Sequence, residues 1–205
     1  NKALKHISII MDGNGRGATQ KKMPRAFGHR SGVKTITKIV RACSVRQISE
    51  LTLFAFSSEN WKRPNYEVDF IMNLFKKSID EYVSDLHNNN IKIKFIGNYG
   101  NFSKTLLDKI YDSEELTINN TGMRLNLAVN YGGRWDLTNA FRKLVEEHNY
   151  KINEKDITEE NIEKYLVAGT HAPDLLIRTG GEYRLSNFLL WQHAYTELYF
   201  TDCLW

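Results

Sequence analysis

Three short stretches of this chain carry the residue types that handle phosphate-bearing ligands. The first is Asp12-Gly13-Asn14-Gly15-Arg16, where a carboxylate, two glycines and a guanidinium follow the apolar run His6 to Met11. The second holds Arg25, His29 and Arg30, and guanidinium groups suit bidentate contact with phosphate oxygens. The third, Arg178-Thr-Gly-Gly-Glu-Tyr-Arg184-Leu-Ser186, has two arginines, two glycines and a hydroxyl, the ingredients of an anion-binding nest. Between them, Ser57 to Pro64 combines hydroxyls, an amide, a tryptophan and an arginine, chemistry suited to a mobile lid. Each stretch also has a plain reading: a capping aspartate, a solvated basic face, a glycine turn, a surface loop. Residue types alone leave both open.

Gly13-Asn-Gly15-Arg-Gly17-Ala18 matches G-x-G-x-x-A between a strand and a helix, superficially a dinucleotide fingerprint. That fingerprint needs an acid about 20 residues on, at the end of the second strand, to hold a ribose. Here the region Lys34 to Arg41 is helical and basic, and Glu59 comes too late. Asp12 would also repel a bare pyrophosphate. A divalent ion removes that objection, because Mg²⁺ is commonly held by one or two carboxylates together with substrate phosphates. Glu197 is a candidate second metal carboxylate, with a solvated strand-end glutamate as its plain alternative.

The elements that would position these residues alternate regularly. Apolar runs predict strands at His6–Met11, Leu51–Phe56, Ile91–Ile96, Met123–Asn130, Asp174–Arg178 and Glu197–Phe200. Helical spacing predicts helices at Ser31–Gln47, Tyr66 to about His87, Phe102–Leu116, Trp135–His148 and Thr158–Val167, the last with a weak Thr158 cap. The expected fold is a single α/β domain, a mostly parallel sheet of about six strands with helices on both faces. In such sheets, loops leaving the carboxyl ends of the strands form the ligand crevice, and all three phosphate-type stretches leave strands or follow one closely. The broad apolar stripe from Val68 to Leu86 fits either ordinary core or the wall of a hydrophobic cleft.

Composition narrows the classes. At 205 residues, 41% hydrophobic and 25% charged, the chain suits one globular domain, with no repeat or linker. A net charge of +4, spread without lysine blocks, argues for small anionic ligands and against nucleic acid. Cys43 and Cys203 form no metal pattern, and with no signal peptide they point to reduced thiols in the cytoplasm. Apolar runs such as Phe188 to Trp191 are too short to span a bilayer, although attachment to its surface stays open.

The longer motifs resemble the cis-prenyltransferase family, most closely its bacterial undecaprenyl diphosphate synthases. HISIIMDGNGR, PRAFGHRSG, LTLFAFSSENWKRP, NLAVNYGGRWD, DLLIRTGGEYRLSNFLLWQ and TELYFTDCLW occur in the family's order from His6 to Trp205. No DDxxD cluster of the unrelated trans-type synthases is present. The resemblance implies Mg²⁺-dependent condensation of isopentenyl diphosphate with an allylic diphosphate, typically farnesyl diphosphate, forming cis double bonds. It further implies a hydrophobic tunnel, a homodimer, a role in cell-wall carrier lipid, and peripheral membrane contact through the lipid product.

Carried over by motif, Asp12 would position Mg²⁺ and activate the allylic diphosphate, held by Gly13, Asn14, Gly15, Arg16 and Arg25. His29, Ser57, Ser58, Glu59, Asn60, Trp61 and Arg63 would complete the reacting centre, with Asn60 assisting proton removal. Arg178, Arg184, Leu185 and Ser186 would bind isopentenyl diphosphate, and Glu197 would join the metal site. Two features depart from the pattern. Gly17 stands where the family has tryptophan, which implies a lost apolar surface beside the allylic site and weaker substrate binding. The chain also stops at Trp205, so the family's C-terminal RxxRFG segment is expected to be missing, and a non-catalytic diphosphate-binding or partner subunit stays as the alternative.

Overall fold

Among the described residues, apolar runs rich in isoleucine, leucine and phenylalanine form six strands: β1 (His6–Ile10), β2 (Glu50–Ser57), β3 (Lys92–Ile96), β4 (Arg124–Tyr131), β5 (Leu175–Arg178) and β6 (Glu197–Phe200). The computed structural model describes residues 3–205. The strands build one sheet in the order β3-β4-β2-β1-β5-β6, and every pairing is parallel. All five residues of β1 are buried, as expected for a central parallel strand covered on both sides.

Among the described residues, six α-helices connect the strands: α1 (Asn14–Gln20), α2 (Arg25–Val45), α3 (Asn65–Asn88), α4 (Lys104–Thr117), α5 (Gly133–Glu147) and α6 (Glu159–Glu163). Odd-numbered residues of β1 to β4, among them Ile9, Leu53, Ile93 and Leu125, pack against α2, α3 and α4. Ile10, Phe54, Ala128 and Leu176 face the other way, onto Trp135 of α5 and onto Phe188 and Leu189. The expected two-faced single α/β domain is therefore what forms. No helix among the described residues is long and apolar enough to cross a membrane.

Three local expectations differ. The GNGR stretch is the opening of α1, not an extended loop. Secondly, α2 begins at Arg25, six residues before the expected start. Gly28 makes that first turn look unfavourable by intrinsic propensity, but tertiary contact overrides it: a Cβ at Gly28 would sit 2.1 Å from the Asn14 carbonyl oxygen. Only a bare backbone allows α1 and α2 to cross so closely. Finally, α6 covers just Glu159–Glu163 of the expected Thr158–Val167, although the Thr158 hydroxyl does accept the Asn161 N–H at 3.2 Å.

Candidate active site

In the strand order, β1 is the switch point: the chain moves to β2 on one side and later returns to β5 on the other. Ligands bind at such points, beyond the carboxyl ends of the strands. Here the segments leaving β1, β2 and β5 converge on a cleft of about 640 Å³. Asp12, Gly13, Asn14, Gly15, Arg16, Arg25, His29, Ser57, Glu59, Asn60, Arg63, Arg178, Arg184 and Ser186 all line it.

Asp12 stands between the two cationic loops. Its Oδ2 pairs with Arg16 Nη2 at 3.1 Å and with Arg178 Nη2 at 3.3 Å. Its backbone is fixed as well, because the Asp12 N–H donates to Thr179 Oγ1 at 3.0 Å and that hydroxyl donates to the Asp12 carbonyl at 2.7 Å. Gly180 takes φ +92° behind it, where a Cβ would lie 2.7 Å from Arg16 Nη2 and 3.0 Å from the Asp12 carbonyl. Only glycine holds that conformation and that approach without strain.

Arg178 is buried at the end of β5 and donates to Ser186 Oγ at 2.6 Å and to the Arg184 carbonyl, so one guanidinium sets the shape of the whole loop. Arg178 Nε and Asn14 Oδ1 are buried without a hydrogen-bond partner. Unpaired buried polar atoms are costly and uncommon; both residues line the cleft, where a bound anion would accept from the Arg178 Nε donor, whereas Asn14 Oδ1, an acceptor, lies against Gly32. Arg184 is more exposed and pairs with Glu182.

Behind the opposite wall, Glu67 in the first turn of α3 gathers two arginines and a histidine that line the cleft. Its Oε1 lies 2.6 Å from Arg63 Nη1, 3.4 Å from His29 Nε2 and 3.8 Å from Arg25 Nε. Burial opposes ionisation of Glu67, but the hydrogen bond and charge of Arg63 outweigh it and hold the carboxyl below its ordinary pKa. Burial lowers the His29 pKa, with Arg63 and Arg25 adding to the effect and Glu67 resisting it. The sequence reading missed Glu67. Its signal was an acid four residues after Arg63 in a first helical turn, which is also ordinary helix-dipole chemistry. Asn187, which lines the cleft and donates to Glu59 Oε1 at 3.0 Å, was missed too.

The expected lid is an ordered 3₁₀ turn, Ser58–Lys62. Asn60 Oδ1 accepts the Ser57 N–H at 3.0 Å, and the Trp61 indole donates to Asn130 Oδ1 at 2.7 Å. Trp61 packs edge-on against Phe56, away from the cleft lining, so it anchors the turn. Ser58 is likewise outside the lining, with its hydroxyl donating to Glu59 at 3.1 Å. Leu185 packs into the core beneath the β5 loop.

Glu197 is not brought to Asp12. It opens edge strand β6, in register with Leu175 and, through it, with Ile7. Asp12 lies beyond the other end of the strands, roughly 10 Å or more along them at about 3.3 Å per residue, and two strands across. Gly17 lines no part of the cleft, and a Cβ there would meet Leu204 in ordinary contact at 3.7 Å.

The cleft continues into a nearly apolar channel between α2, α3 and the sheet, lined by Ile36, Val40, Phe75, Ile79, Phe95 and Leu127 among others. Met11, Asn14, His29, Ala55 and Ile71 line both spaces and form the neck. The Val68 to Leu86 stripe therefore serves as both core and channel wall, and Trp205 closes one side, with its indole donating to the Gly32 carbonyl at 3.2 Å.

A polar, cationic cleft with one central carboxylate, opening into an apolar channel, is the arrangement of a cis-prenyltransferase. The chain belongs to the undecaprenyl diphosphate synthase family, whose prenyltransferase model matches residues 10–205. It is 49% identical over 203 residues to the ditrans,polycis-undecaprenyl-diphosphate synthase ((2E,6E)-farnesyl-diphosphate specific) of Photorhabdus laumondii, covering 98% of this chain and 80% of that one. It is 48% identical to an isoprenyl transferase of Neisseria meningitidis, covering 98% and 79%. Among solved structures, lavandulyl diphosphate synthase of Lavandula x intermedia, in complex with dimethylallyl diphosphate, superposes with a TM-score of 0.94 at 36% identity, over 98% of this chain and 88% of that one. A probable undecaprenyl diphosphate synthase of Campylobacter jejuni gives 0.82 at 36% identity, over 100% and 89%.

Proposed function

We propose that the protein condenses isopentenyl diphosphate with farnesyl diphosphate, with cis stereochemistry and Mg²⁺, to make an undecaprenyl-type diphosphate for cell-wall carrier lipid. The observation that carries this is Asp12 bridging Arg16 of α1 and Arg178 at the end of β5, in a polar cleft that opens into an apolar channel. Two diphosphate-sized sites on either side of one carboxylate suit the joining of two diphosphates.

In this reading, Arg16, Arg25 and the free N–H groups at the start of α1 hold the allylic diphosphate, whose hydrocarbon passes the Ala55 neck into the channel. Arg178, Arg184 and Ser186 hold isopentenyl diphosphate. The allylic carbon–oxygen bond breaks, its electron pair leaving with pyrophosphate. The alkene of isopentenyl diphosphate forms the new carbon–carbon bond and then loses a proton, which the released pyrophosphate accepts, with Asn60 assisting. Arg16 and Arg25 stabilise the charge that develops on the departing pyrophosphate, and the channel keeps water from the allylic cation.

The donor set suits Mg²⁺. Both ion pairs of Asp12 use Oδ2, which leaves Oδ1 for a hard cation, and substrate phosphates supply the further oxygens such an ion requires. When bound, Mg²⁺ would neutralise diphosphate charge and promote its departure. Glu197 stands away from that ion, and the protein works as a homodimer. The exposed edge strand β6, with Leu198 and Tyr199 on the surface, offers a face for such pairing. A cytoplasmic protein touching the membrane only through its lipid product completes the proposal.

The test is incubation of the purified protein with farnesyl diphosphate, labelled isopentenyl diphosphate and Mg²⁺, followed by extraction and chromatography. Labelled polyprenyl diphosphates that vanish with chelator are expected. Tight binding of both diphosphates without elongation would instead favour the non-catalytic subunit.

A further inference from the structure

At the amino ends of the strands, opposite the cleft, a second polar cluster plays no part in the proposed reaction. His6 of β1 and Glu50 of β2 are direct partners in the sheet register, and both are buried. The segment before β5 brings the exposed His171 over them, and the His6 and His171 rings stack with centroids 5.6 Å apart. One ligand atom from each of the three residues falls within 4.8 Å of the other two.

The hydrogen bonds around the cluster aim these atoms. His6 Nδ1 lies 2.9 Å from the His171 carbonyl oxygen, so Nδ1 carries the proton and Nε2 has the lone pair, which now faces Thr52 Oγ1 at 2.7 Å. A backbone carbonyl holding the far nitrogen of an imidazole is the usual support of a metal-ligating histidine. Asn126 Nδ2 holds Glu50 Oε1 at 2.6 Å, and Oε2 is directed at His171 Nδ1.

We propose that His6, Glu50 and His171 form a transition-metal site that takes Zn²⁺ or a similar borderline cation, with solvent in the fourth position. Two imidazoles and one carboxylate are a zinc-type ligand set, whereas Mg²⁺ prefers oxygen donors. The ion would replace the proton between Glu50 and His171 and the Thr52 hydroxyl at His6. Two ligands are fixed by adjacent strands, and the third is on the surface, which gives the ion an entry path. Occupancy would tie the segment leading into β5 to β1 and β2, and so raise stability without touching the cleft.

The test titrates metal-free protein with Zn²⁺ by calorimetry and thermal unfolding, and with Co²⁺ by absorption spectroscopy. One ion per chain and a raised Tm are expected, with no thiolate charge-transfer band that would implicate Cys203. His171→Ala removes an exposed side chain and should keep the fold while weakening Zn²⁺ at least about tenfold. Glu50→Gln, which keeps the Asn126 contact, should do the same where it folds. No Zn²⁺ binding by the parent, affinity unchanged in His171→Ala, or a thiolate band would overturn the proposal.

Discussion

Glu67 Oε1 accepts from Arg63 Nη1 at 2.6 Å, which fastens the segment after the 3₁₀ turn to the first turn of α3. The same oxygen faces His29 and Arg25 on α2, so one carboxylate sets the spacing between the two helices at the mouth of the channel. Removing its charge should leave Arg63, Arg25 and His29 without a common partner. Glu67→Gln is expected to lower kcat/KM about 10²-fold, the scale set by a misplacement of about 1 Å in a reacting site. Because Glu67 raises the His29 pKa against burial, the variant should also push that pKa further below 6.5. NMR titration of His29 separates this from general destabilisation, since a purely structural change would expose the ring and move its pKa upward.

Glu67 also marks where the sequence stops being readable. Strand and helix alternation, and with it the location of the cleft, follows from apolar periodicity, which needs no partner to be seen. Asp12, Arg16, Arg178 and Ser186 are legible because each lies at or soon after the end of an apolar run. Glu67 lies inside a helix, and its value comes from Arg25 and His29, about 40 residues away, a contact no spacing encodes. Glu197 fails for the converse reason: it is near the site in sequence, but it opens its strand, whereas the site lies beyond the closing end. The start of α2 was hidden because Gly28 reads as a helix breaker until α1 is laid against it.

Asp12 separates two guanidiniums and offers an oxygen to a cation, so its loss should act on chemistry more than on binding. Asp12→Ala is expected to fall at least about 10²-fold in kcat, with circular dichroism unchanged. Its affinity for farnesyl diphosphate without Mg²⁺ should hold or improve, since a negative charge has been taken from an anion site. Near-parental turnover would remove Asp12 from the mechanism.

Ala55 lines both the cleft and the channel, and it is the smallest side chain at their junction. In the proposed reaction, a growing hydrocarbon would pass it on every addition. Ala55→Leu should therefore leave the first condensation nearly intact while shortening the final product. Chromatography of labelled products checks this, and an unchanged length distribution would show that the chain takes another route.

His193 gives the fold a pH dependence of known direction. Its ring is buried between Ser8 Oγ, 2.9 Å from Nε2, and the Phe188 carbonyl, 3.0 Å from Nδ1. Burial lowers its pKa from 6.5 to about 4, with the Phe188 bond resisting. Between those values the unfolded chain binds a proton that the folded chain refuses, so stability declines as pH falls from 6.5 toward 4. The full contribution, lost near the lower limit, is roughly 3 kcal/mol at about 1.4 kcal/mol per pKa unit. Burial lowers the His6 pKa as well, adding to the same slope. Glu50 and Glu67, whose pKa values are held down by their partners, lose their contribution only at lower pH, below the ordinary carboxylate value of 4.5. Denaturant unfolding between pH 7 and 5 should therefore show a falling midpoint in the parent. His193→Asn should begin less stable at pH 7 and fall less steeply, by close to one proton in the linkage slope. An unchanged slope would mean that the ring already titrates normally in the folded protein.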